Sequence, residues 1–76
     1  MRVFRLFATL NDGADGRCRI FCDGQQHFVY EHTRDGATVE RFRLDDPEHF
    51  HRYTYELTAR GWTFAWAPRE GVEVGN

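Results

Sequence analysis

The chain has no serine and no lysine among its 76 residues, and only two cysteines, two prolines and one methionine. Without serine, nucleophilic catalysis would need a Thr or Cys beside a base that a third group orients. Cys22 next to His32 on neighbouring strands is the arrangement the pattern offers, and a cysteine on the core side of an aromatic sheet is usually inert. Asp45 and Asp46 are better explained by a helix start than as a catalytic carboxylate pair. Gly13 and Gly16 precede a strand and not a helix, so no phosphate-cradling loop is present. The expectation is a protein that is not an enzyme and holds no cofactor.

The missing lysines leave ten basic residues, all Arg, against twelve acidic ones, for a formal net charge of -2. Binders that rely on phosphate neutralisation are usually basic overall, so this balance argues against non-specific nucleic-acid binding. All-Arg usage is explained first by a GC-rich coding sequence, although Arg is also the better residue for planar, stacked or bidentate contacts.

No apolar run is long enough to span a membrane, and the opening stretch from Met1 to Ala8 is broken by Arg2 and Arg5, unlike the core of a signal peptide. A cytoplasmic protein with no membrane partner is expected. Cys18 and Cys22 on one strand would lie about 13 Å apart, too far for a disulfide or a shared zinc ion. Both read as free thiols, as in a reducing compartment. His49 and His51 diverge by about 200° on a helix, so they do not chelate together, and no metal is expected.

Aromatic residues are plentiful: seven Phe, three Tyr and two Trp. A domain this small buries only about 60% of its unfolded surface, so large rings must supply the core.

Alternation marks strands over 2–10, 17–22, 26–33 and 38–44. Asn11 to Gly16 is a loop rich in turn formers. Asp23-Gly24 reads as a type I′ hairpin turn, and Arg34-Asp35-Gly36-Ala37 as a second tight turn. Asp46-Pro47-Glu48 starts a helix, with Asp46 as cap, Pro47 in the first turn and Glu48 complementing the dipole. Phe50, Tyr53 and Leu57 form its apolar stripe, and Gly61 stops it after Arg60. Trp62, Phe64 and Trp66 alternate in a last strand ended by Pro68, and 69–76 is expected to be a loosely held tail.

The fold class is therefore α+β: an antiparallel sheet of four to five strands in the order β-β-β-β-α-β, with one helix on one face and residues 1–68 forming a single domain. The phase places Phe4, Leu6, Ala8, Leu10, Cys18, Ile20, Cys22, Phe28, Tyr30, His32, Phe42 and Leu44 under the helix. Leu57 and Trp66 are expected to be buried. The opposite side stays uncovered and carries Arg5, Phe7, Arg17, Arg19, Phe21, Val29, Val39, Arg41 and Arg43, a mixture of apolar and guanidinium groups suited to contact. Tyr55 is expected on the solvated side of the helix.

The stretch from Arg19 to Leu57 runs strand, Asp23-Gly24 turn, strand, Asp35-Gly36 turn, strand, Asp45-Asp46 helix start and aromatic helix. In this order it resembles the central part of a small phage-encoded type I anti-CRISPR protein. The resemblance covers about half the chain and ends at Gly61, after which an aromatic strand replaces further helix. It implies an inhibitor without chemistry that binds a host CRISPR surveillance complex and blocks access to target DNA. On that basis Asp12, Asp15, Asp45, Asp46 and Glu48 would meet basic groups of the host nucleoprotein complex, and Phe21 and Tyr55 would anchor. The alternative is a single-stranded nucleic-acid-binding module on the open Arg and aromatic face. A homodimer through open faces or edge strands is compatible with either.

Overall fold

In the computed structural model, which describes residues 3–68, five strands and one helix follow in the order β1 (Arg5–Asn11), β2 (Gly16–Cys22), β3 (Phe28–Arg34), β4 (Ala37–Leu44), α1 (Pro47–Ala59) and β5 (Thr63–Trp66). The expected tail 69–76 lies outside the described residues. The sheet is antiparallel throughout, in the order β4-β3-β2-β1-β5, so β5 joins the β1 edge of a four-strand meander.

The helix forms where capping and periodicity agree. Asp46 is extended (φ -147, ψ 106), and its carboxylate accepts from the Glu48 N–H at 3.0 Å, while Pro47 occupies the first turn where no N–H is required. At the other end the Trp62 N–H donates to the Leu57 carbonyl and the Gly61 N–H to the Thr58 carbonyl, both at 3.0 Å. This is a Schellman cap, and Gly61 supplies its left-handed residue with φ +99.

One face of the sheet meets α1. Ala8, Leu10, Cys18, Ile20, Phe28 and Tyr30 project from the strands to Phe50 and Leu57 of the helix, and all are buried. Cys22, Phe42, Tyr53, Trp62 and Phe64 pack around them. The rings interlock: Phe28 stacks on Phe50 at 5.3 Å between centroids, and Tyr30 on Phe42 at 4.9 Å. Polar tips find partners within this layer, since His49 Nδ1 lies 3.2 Å from the Tyr30 hydroxyl and His32 Nε2 contacts that of Tyr53. Among the described residues no buried side-chain nitrogen or oxygen lacks a partner.

Three local expectations are corrected. First, β1 contains a bulge: Leu6 pairs with Phe21 and Ala8 with Ile20, so Phe7 is an extra residue. The insertion shifts the phase of everything before it. Arg5 pairs with Cys22 on the helix side, and Phe7 turns under α1, while Leu6 faces outward. Second, Asp23-Gly24 is not a type I′ turn. The loop spans Asp23 to His27, because Cys22 pairs with Phe28, and Asp23 organises it by accepting from the Gln25 N–H at 2.9 Å and contacting His27 Nδ1 at 2.6 Å. The two-residue turn is Asp35-Gly36, where φ is +56 and +80 between paired Arg34 and Ala37. Third, Trp66 is 62% exposed. It lies on the helix side opposite Ala8, but on an edge strand of four residues beyond which no further element covers it among the described residues.

Candidate functional site: the open face of the sheet

Antiparallel pairing puts directly opposed residues on the same face, so the register reads the uncovered side row by row. Leu6, Phe21, Val29 and Arg43 form one row across β1 to β4. Ala65, Thr9, Arg19, Glu31 and Arg41 form the next, from β5 to β4. Phe4, just before β1, belongs to the same surface, because the Arg43 guanidinium lies 5.8 Å from its ring centroid. The result is an apolar patch of Phe4, Leu6, Phe21 and Val29 at one end of the face, bordered by Arg19, Arg41 and Arg43.

The guanidinium groups are not equivalent. Arg19 Nε donates to Glu31 Oε1 at 2.9 Å, with Nη2 contacting the same oxygen, and its Cζ sits 5.5 Å over the Phe21 ring. Arg43 grips Asp45 through two bonds, at 2.9 and 3.2 Å. That hydrogen bond holds the Arg43 proton still more firmly than usual. Arg41 faces Glu31 across the ladder, but Arg19 already holds that carboxylate.

The candidate residues thus divide. Arg19, Phe21, Arg41 and Arg43 share the open face, and Asp45 joins them through Arg43. Arg5 and Phe7 do not belong there, since the bulge carries both to the helix side. They line a shallow groove of about 600 Å³ with Val3, Leu6, Cys22, Asp23, Gly24 and Gln25. Phe4 and Leu6 replace them on the face. The sequence carries no signal for this exchange, because Val3, Arg5 and Phe7 alternate as regularly as Phe4 and Leu6.

The acidic candidates are not one surface either. Asp12 and Asp15 lie in the β1–β2 loop, where Arg34 Nη1 reaches Asp15 at 2.7 Å and Nη2 reaches Asp12 at 3.4 Å. Asp12 is kept below the usual carboxylate range first by the Ala14 N–H and then by that of Gly16 and by Arg34. Asp45, Asp46 and Glu48 sit at the opposite end of the strands, roughly 20 Å away for seven residues at about 3.3 Å each. Tyr55 is 74% exposed on the far side of the helix, as expected, and so faces away from the open sheet.

Cys18 is fully buried and its thiol is pushed up to about 12 by burial. Both cysteines are free. Among the described residues no group of three His, Cys, Asp or Glu side chains is placed to hold a metal ion, and no helix is long and apolar enough to cross a membrane. Compared with protein-family models, with curated proteins and with solved structures, the chain matches none.

Proposed function

We propose that this chain is a binding module without chemistry of its own, and that it docks a protein through the open face of its sheet. The observation that carries this reading is the apolar patch of Phe4, Leu6, Phe21 and Val29, which no helix covers among the described residues and which Arg19, Arg41 and Arg43 border. An apolar centre with an Arg-rich rim is the composition of a protein interface. In the finer reading, which comes from the resemblance of Arg19 to Leu57, the partner is a host CRISPR surveillance complex whose access to target DNA is blocked.

The alternative reading, a platform for single-stranded nucleic acid, draws on the same Phe and Arg residues. Two contacts weigh against it. Arg19 already lies over the Phe21 ring and Arg43 over Phe4, so these rings are partly covered where a base would stack.

Affinity capture from the native host tests the first reading when the wild-type chain is paired with Leu6→Asp, a change at a half-exposed position. A protein held by the wild type and lost by the variant supports docking through this face. Equal recovery with both would sink it. For the finer reading, the purified surveillance complex is mixed with the chain before labelled target DNA is added, and undiminished DNA binding would refute inhibition. Fluorescence anisotropy with a dT oligonucleotide tests the alternative, which predicts binding that falls steeply with salt.

A further inference from the structure

The row Arg19, Glu31, Arg41 alternates in charge across three neighbouring strands and stops at β4, the free edge of the sheet. Arg19 binds Glu31 through Oε1, and Arg41, opposite Glu31 on the edge strand, is the last cation of the row, with no further strand beside it among the described residues. A strand added beside β4 would place a residue at that position, about 4.8 Å away. A carboxylate there continues the alternation.

We infer that the partner segment is an extended acidic strand that adds to the sheet along Glu40–Leu44, with an Asp or Glu opposite Arg41 and an apolar residue opposite Phe42. The inference rests on the reading of the open side as a protein-binding surface and names the chemistry of what binds there. β4 suits this role better than the other edge. It has eight residues, seven of them exposed, whereas β5 has only four. The register shift between His32 and Thr33 makes Val39 an extra residue, so uninterrupted pairing runs from Glu40. Along that stretch Arg41 and Arg43 face the open side, while Phe42 and Leu44 face the helix side, with Leu44 39% exposed. An added strand would therefore meet cations on one face and, past Glu40 at the start of the stretch, the apolar Phe42 and Leu44 on the other, which calls for acidic and apolar residues in alternation opposite Arg41 to Leu44.

Charge also selects this occupant on a larger scale. The chain is negative overall, yet the open face carries Arg17, Arg19, Arg41 and Arg43 against Glu31 and Asp45, an excess of two cations. A second copy of the chain is a poor occupant. Symmetric antiparallel pairings of β4 with itself centred on Glu40, Arg41, Phe42 or Arg43 each oppose two like charges, which is destabilising.

The test titrates the isotope-labelled chain with an acetylated, amidated eight-residue peptide alternating Glu and Val, then with its Lys and Val counterpart, and with a dT oligonucleotide. Expected are amide shift changes along Glu40–Leu44 with the acidic peptide and at least tenfold weaker binding of the basic one. Arg41→Glu should reverse that preference, and methylation of alternate peptide amides should abolish binding. Equal affinity for both peptides, or no response along Glu40–Leu44, overturns the inference. If the acidic peptide perturbs only Leu6, Phe21 and Val29, edge pairing is wrong while the face still binds protein. If only the oligonucleotide binds, at Phe21 and Arg19, the inference and the reading beneath it both fall. Loss of the wild-type-specific protein in the Leu6→Asp capture is read separately and does not depend on β4.

Discussion

The Phe7 ring lies 5.3 Å from that of Phe50, centroid to centroid, on the helix side of the sheet. Phe7 also approaches Phe28 at 6.0 Å and Trp66 at 5.3 Å, so one inserted residue ties β1 to the helix, to β3 and to the terminal strand. Because Phe7 is the bulged position, its neighbour Leu6 is turned the other way and becomes part of the open face. Core packing and the composition of the open face therefore depend on the same backbone irregularity.

Phe7→Ala is expected to destabilise the fold by about 2 kcal/mol, less than a fully buried Phe because the ring is partly exposed. Phe4→Ala, on the outer surface, should cost clearly less. Urea denaturation of both variants checks this, and equal losses would mean that the bulge is misplaced.

Leu57→Ala should cost about 2–5 kcal/mol, since the side chain is buried between the helix and the sheet. Trp66→Ala, which a fully buried position would place in the same range, should lose only a fraction of that amount. The two midpoints in one denaturant series decide the matter, and similar shifts would contradict the exposure of Trp66.

His32 is wedged against Tyr53 and Trp62, and burial lowers its affinity for a proton while Glu40 opposes that shift. The folded state therefore binds this proton less tightly than the unfolded chain. The associated stability is complete above the unfolded value of 6.5 and declines as the pH falls below it. Thermal melts at about pH 7.5 and 5.5 should show a drop that shrinks in His32→Gln. An identical drop in both proteins would assign it elsewhere.

Asp35 occupies a left-handed position, and its carboxyl is raised above the usual range first by its hydrogen bond to Asp15 and then by that residue's charge. Raising the pH through this value ionises Asp35 against Asp15 and removes stability. Asn tolerates the same backbone and completes a favoured Asn-Gly turn. Asp35→Asn should therefore raise the melting temperature at neutral pH, with a smaller gain near pH 4. A lower melting temperature at pH 7 would show that the Asp35 carboxylate is needed.

The elements were legible wherever two independent signals coincided. Asp46-Pro47 and Gly61 delimit the helix to within a residue, and the alternation in β2, in β3 and in β4 from Glu40 onward places their core side correctly, while the extra residue Val39 interrupts it before that. The antiparallel five-strand sheet and its single helix follow from that. The bulge was not legible, because Val3, Arg5 and Phe7 alternate as well as Phe4 and Leu6, and a one-residue insertion leaves no compositional trace. Asp-Gly occurs twice, and nothing local distinguishes the pair that forms the two-residue turn from the pair that begins a longer loop. The difference lies in the ladder, where Cys22 must meet Phe28. Of the candidate site, Arg19, Phe21, Arg41 and Arg43 were readable from strand phase. Phe4 and Leu6 were not, since their exposure depends on the bulge.

The strand order also sets a sequence of events in folding. β1 to β4 are joined by hairpins of short reach, whereas the β1–β5 ladder unites positions such as Asn11 and Thr63, separated by about fifty residues, and must wait for that chain closure. Weakening this ladder with Phe64→Ala should accelerate unfolding in stopped-flow experiments while leaving the refolding rate nearly unchanged; a slowed refolding limb would reverse the order. With that outcome β5 would be a latch fastened last, and the lifetime of the native molecule would depend on the four residues of one edge strand.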